Sequence, residues 1–200
     1  MGHWTCTYAR LDQAELIQIA YRTDRSRLDE RAEILPPFQD SQSASFTSRD
    51  LVMLMLRLHM EEFGMSALVS PDAVADAADV VLWFTLLNCD DACEIRGLPR
   101  QIRSLLDGTS LKAEVADLIC GRQGGRRFLV TAGQTDVTFC SDLAEVVATK
   151  AIVLCDLEGI ALDLMARCQR ALFRIEFDDR GHGAATRGGS KGRHPHLRLV

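Results

Sequence analysis

The sequence predicts a mainly α fold. We expect a helical array or bundle over residues 1–179, with one short β-hairpin at about 127–140 and a long C-terminal helix. Residues 180–200 read as a flexible, basic, glycine-rich tail. Three observations carry this reading. Apolar residues recur at three- and four-residue steps through most of the chain, the period of one helix face. The stretches 51–56 and 80–87 are apolar on nearly every side, as helices at the centre of a core are. β-prone residues cluster clearly in only one place, on either side of Ala132-Gly133-Gln134. At 200 residues, 47% hydrophobic and 26% charged, the chain is long enough for one domain with a proper core.

Leu11, Glu15 and Ile19 stack with Leu16 beside them, which predicts a first helix over 11–21. The charged stretch up to Leu35 is compatible with its continuation, and Pro36-Pro37 stops it, because neither proline donates a hydrogen bond. Residues 39–46 are rich in Ser and Gln and read as a loop. A second helix starts at Thr47 or Ser48, either a suitable N-cap, and ends at Phe63 before Gly64. Ser70-Pro71-Asp72 opens a third: a capping hydroxyl, a proline at the first helical position and a carboxylate at the positive dipole end. That helix runs to about Leu87 and places Val74, Ala77, Ala78, Val81 and Leu82 on one face. The second and third helices are the expected centre of the core. Short helices follow at 98–106 and 110–120.

Residues 127–131 and 135–140 then read as the two strands of the hairpin. Ser141-Asp142 opens the long helix, in which Leu143, Val147, Ala151, Leu154, Leu157, Ala161, Leu164, Cys168, Ala171 and Ile175 recur at helical steps. The competing reading makes 151–155 a buried strand, since short apolar runs fit both periods.

Composition excludes some classes of function. The longest apolar run, 80–87, is eight residues and far short of the roughly 20 that span a bilayer. Arg10, Asp12 and Glu15 interrupt any secretory signal, so the expected location is the cytoplasm. Seven cysteines are an odd number, and in that compartment they read as reduced and mostly buried thiols.

Charge is unevenly distributed. Residues 58–95 hold eight acids and no Lys or Arg, whereas 96–127 hold seven bases against three acids. The expected partner contacts lie at this junction: Asp90, Asp91 and Glu94, followed by Arg96, Arg100 and Arg103. The tail adds Arg187, Lys191, Arg193 and Arg198, enough to neutralise four phosphates at most, so nucleic-acid binding by the tail is expected to be weak.

Three local patterns look like chemistry. Val153-Leu154-Cys155-Asp156-Leu157-Glu158-Gly159 resembles the nucleophile motif of haloacid-dehalogenase-type phosphatases, an apolar strand ending in Asp-x-Asp-Gly-Thr. The resemblance implies Asp156 as nucleophile. It departs at Glu158 and Ile160, where that family has its acid/base aspartate and its threonine. Only 41 residues remain after Gly159 to build the required parallel sheet. The acids are therefore read as a polar stripe on a helix.

Arg180-Gly181-His182-Gly183-Ala184-Ala185 resembles the pyrophosphate-binding turn of GNAT-type acetyltransferases, with 173–177 as the strand before it. Residues 186–192 are poor helix formers, however, and the rest of that fold is missing.

Cys89, Cys93, His194 and His196 form the close metal-ligand pairs. The order of elements is loosely similar to bacterial regulators with a C-terminal zinc-binding module. Ala171 stands where a second cysteine would follow Cys168, so such a module would be degenerate. No metal or cofactor is expected, and Cys89 and Cys93 read as core-facing thiols.

Nucleophile elbow, Walker loop, zinc-protease and EF-hand motifs are absent from the sequence. His59 reads as a core histidine rather than a general base. The function expected is that of a non-enzymatic binding or regulatory protein acting through a protein partner. The alternatives are a nucleic-acid-linked transcriptional regulator with a degenerate metal module, and an enzyme whose residues converge only in the fold.

Overall fold

Ser70-Pro71-Asp72 does open a helix, and that helix is the hub of the molecule. The computed structural model describes residues 4–21, 45–64, 69–98, 100, 109–124, 126–132, 136–146 and 152–177. In chain order these form β1 (Trp4–Tyr8), β2 (Arg10–Leu11), α1 (Gln13–Tyr21), β3 (Phe46–Thr47), α2 (Ser48–Glu62), α3 (Pro71–Asn88), β4 (Cys93–Arg96) and α4 (Thr109–Cys120). Then follow β5 (Phe128–Ala132), β6 (Asp136–Cys140), β7 (Ile152–Asp156), α5 (Leu157–Arg167) and β8 (Phe173–Phe177). Asp90–Ala92 and Leu143–Glu145 are 3-10 turns. The fold is mixed α/β, with five helices and eight strands in three sheets among the described residues. This overturns the expectation of a mainly α bundle with one hairpin.

The helices form for the reasons the sequence gives. Thr47 caps α2 through a full capping box: its Oγ1 accepts from the Asp50 N–H (3.3 Å), and its own N–H donates to Asp50 Oδ2 (2.8 Å). The helix ends at Phe63, and Gly64 takes the left-handed conformation (φ 67°) that closes such an end. Ser70 Oγ accepts from the Ala73 N–H (3.2 Å) to cap α3. Val74, Ala77, Ala78, Val80, Val81, Leu82 and Leu86 of α3 are all buried, and α2, α4 and α5 pack around it. Polar ties fix the packing. Arg49 donates twice to Asp79 (2.8 and 3.0 Å), joining α2 to α3, and Trp83 Nε1 donates to Asp117 (2.7 Å), joining α3 to α4.

The hairpin is formed by β5 and β6, in register from Phe128 opposite Cys140 to Ala132 opposite Asp136. It is widened by β7, which pairs antiparallel with β5 to give the order β6-β5-β7. The second main sheet has the order β1-β8-β4, with β8 antiparallel to β1 and parallel to β4. β2 and β3 make a two-residue pair.

The long C-terminal helix is therefore three elements, β7, α5 and β8, and the strand reading of 151–155 was the better one. Apolar residues are so dense over 143–175 that a step of three or four fits by chance. The decisive pattern is the alternation of Phe173-Arg174-Ile175-Glu176-Phe177: Phe173 and Ile175 are buried while Arg174 and Glu176 are exposed, the period of a strand. Cys93-Glu94-Ile95-Arg96 likewise alternates apolar and polar residues and forms β4. The expected helix at 98–106, apart from Leu98 and Arg100, the continuation of α1 past Tyr21 and the tail at 180–200 lie outside the described residues. No described helix is long and apolar enough to cross a membrane.

Candidate functional site

Because β8 is central, its outward residues meet partners on both sides. Register places Thr7, Arg174 and Glu94 in one row across the sheet, and Thr5, Glu176 and Arg96 in the next. Phe173 and Ile175 on the opposite face bury into the core, which holds this outward face in place. The charges of the two rows connect. Glu94 Oε2 accepts from Arg174 Nε (3.0 Å), and Glu94 Oε1 accepts from Arg96 Nε and Nη2 (2.9 and 2.7 Å). Arg96 Nη1 also lies 3.9 Å from Glu176. Hydrogen bonds from Arg96 first, and from Arg174 next, hold the Glu94 carboxyl below the usual carboxylate range. The same bond raises Arg96.

One end of this face opens into a cleft of about 680 Å³, lined among others by Tyr8, Arg10, Thr47, Glu94, Arg170 and Arg174. The chain enters and leaves the two strands here. Ala9 N–H donates to Leu172 O (2.8 Å), and buried Ser48 donates its hydroxyl to the same carbonyl (2.5 Å), which clamps the α5–β8 connection against the start of α2. Arg170 is fixed by Glu15 (2.6 Å) and by the Arg10 carbonyl (3.2 Å). No carboxylate among the described residues pairs with the Arg10 guanidinium.

The predicted contact residues divide accordingly. Glu94 and Arg96 sit together on β4. Asp90 and Asp91 form the exposed 3-10 turn before it, and Asp90 is paired with Lys112 of α4. Arg100 is exposed beyond β4, and Arg103 lies outside the described residues. Sequence reasoning missed Arg10, Arg170, Arg174 and Glu176. The signal for Arg174 and Glu176 was the alternation in 173–177, whereas Arg10 and Arg170 are joined to the face only by the fold.

The other motifs resolve differently. Asp156 ends β7, an edge strand of an antiparallel sheet, where a phosphatase nucleophile would need a parallel one. It is not on a helix stripe either: Asp156 Oδ1 accepts from the Gly159 N–H (3.2 Å), so it is the N-cap of α5. Its carboxylate also accepts from Arg127 (3.3 and 3.1 Å). A second cavity of about 740 Å³ lies between α1, α2 and α5, lined by His59, Phe63, Leu154, Cys155, Asp163 and Arg167 among others. His59 is half-buried there, its ring 5.9 Å from that of Phe63.

Five cysteines are buried, and Cys89 and Cys93 are half-buried. Burial pushes Cys93 up to about 12 and Cys155 up to about 11, so neither is a ready nucleophile. Among the described residues no three His, Cys, Asp or Glu side chains gather as metal ligands. The Arg180–Ala185 turn, His194 and His196 lie outside them. Comparison with protein-family profiles, curated proteins and solved structures finds no match to this chain.

Proposed function

We propose that this chain is a non-enzymatic binding protein that engages a protein partner with the charged face of the β1–β8–β4 sheet. The observation that supports it is the connected run Arg174–Glu94–Arg96–Glu176 on an outward sheet face. Exposed ion pairs of this kind stabilise a fold by only about 0–1 kcal/mol each, and ordering four long side chains costs entropy. A patterned, pre-ordered charge surface instead favours discrimination among partners, because a wrong partner sets like charges against it. A complementary partner would present acids opposite Arg96 and Arg174 and bases opposite Glu94 and Glu176.

Nucleic acid is the less supported reading. Arg96, Lys112 and Arg127, three of the bases that would have to gather, are each committed to a carboxylate. Phosphate binding would have to break those pairs or work around them.

The test is a charge swap, Glu94→Arg with Arg174→Glu. It keeps net charge and the possibility of pairing but inverts the pattern. Affinity purification at native expression, read by mass spectrometry, should recover a partner with wild type and lose it with the swap. Equal recovery by both would remove the face from the account.

A further inference from the structure

We propose that the cleft at the end of this face, which shares Glu94 and Arg174 with it, also binds a small phosphate monoester in its dianionic form. Its lining carries three guanidiniums, Arg10, Arg170 and Arg174, against one carboxylate, Glu94. With Glu15 paired to Arg170 and Glu94 to Arg174, Arg10 leaves a local excess of positive charge that favours an anion. The three arginines have different roles. Arg170 is held in place by Glu15 and the Arg10 carbonyl, so its charge is fixed beside the cleft. Arg174 spends Nε on Glu94, and no described contact uses its two Nη groups. Arg10 brings a whole guanidinium that no described carboxylate neutralises, and its strand pairs with β3 beside Ala9, whose backbone bonds to Leu172 and Ser48.

Planar guanidinium forks match the oxygens of phosphate, and two such groups with open N–H donors around one cavity are the usual means of holding it. The size also fits: small-molecule sites run from about 300 to 1,000 Å³. Half-buried Tyr8, Ala9 and Ala171 give the cleft a less polar wall against which an organic group can lie. The cleft shares Glu94 and Arg174 with the proposed partner face, whereas Arg10 and Arg170 lie off that face. Arg10→Ala should therefore leave partner recovery unchanged.

The test is isothermal titration calorimetry of the full chain at low salt with phenyl phosphate, and separately with inorganic phosphate. Phenyl phosphate should bind one site with a dissociation constant of about 1 mM or tighter, and Arg10→Ala should weaken it about tenfold or more, about 1.4 kcal/mol. Circular dichroism of the variant checks that it remains folded, and Arg10→Lys, which keeps the charge, should recover part of the loss. Because the second phosphate ionisation falls near pH 6, affinity should drop between pH 7.5 and 5. Tighter binding of phenyl phosphate than of inorganic phosphate identifies an organic ligand, and equal binding identifies free phosphate. Absence of saturable binding by either probe, or unchanged binding by Arg10→Ala, would overturn the proposal.

Discussion

Arg127 bridges two carboxylates of a single turn, with Nη2 3.1 Å from Asp156 and Nη1 2.9 Å from Glu158. Glu158 in turn accepts from Asn88 of α3 (2.9 Å), so the start of α5 is tied both to the strand beside it and to the central helix. Asp156 therefore has a structural task, capping α5. Asp156→Ala should cost about 1 kcal/mol, the usual loss of an N-cap. Asp156→Asn keeps an acceptor for the Gly159 N–H and should change stability by no more than about 0.5 kcal/mol. Urea unfolding of the two variants checks the difference.

Phe173 opens β8, is fully buried and lies 5.7 Å from the Tyr8 ring. Truncating it removes packing at the strand that holds the sheet together. Phe173→Ala should cost about 3–5 kcal/mol. Leu162, just over half exposed on α5, should tolerate Ala within about 0.5 kcal/mol. Equal effects at the two positions would contradict the element assignment.

Glu94 makes the charged face sensitive to acid. Its folded-state pKa lies below its unfolded value near 4.5. The stability it contributes is fully present above that value and is lost as pH falls through the lower, folded-state value. Wild type and Glu94→Gln should differ in stability at neutral pH and converge in strong acid. The difference should also shrink in 1 M salt, where screening acts over about 3 Å.

The thiols give a fourth expectation. Burial pushes the thiols of buried Cys6 and half-buried Cys93 up to about 12, whereas half-buried Cys89, also raised by burial, does not reach so high. A thiol reagent at pH 8 should label Cys89 first in the folded protein and all seven cysteines after unfolding. Rapid labelling of Cys6 or Cys93 in the folded state would mean that the sheet is not packed as described.

The caps of α2 and α3 were legible because they are local: Thr47 or Ser48 for the one, and Ser70 with Pro71 for the other. The hairpin was legible for the same reason. Asp156, the cap of α5, was instead read as part of a helix stripe. β1, β4 and β8 were missed because a strand of four or five residues has little periodicity of its own. Phe173 to Phe177 alternates cleanly, but Leu164, Cys168, Ala171 and Ile175 fall at helical steps across the same stretch. Only the pairing of β8 with strands about 80 and 170 residues earlier in the chain decides between them. The site follows the same rule. Glu94 and Arg96 are neighbours in sequence and could be nominated, whereas Arg174 reaches them only through sheet pairing and Arg170 lines the adjoining cleft only through the fold.

The most direct test of the partner face is site-specific photo-crosslinking in cells. A photoreactive side chain replacing Thr5, which lies in the row with Glu176 and Arg96, should trap a protein partner. The same group at Leu162, exposed on α5, should not. A partner trapped at Leu162 and not at Thr5 would contradict the assignment of this sheet face as the binding surface.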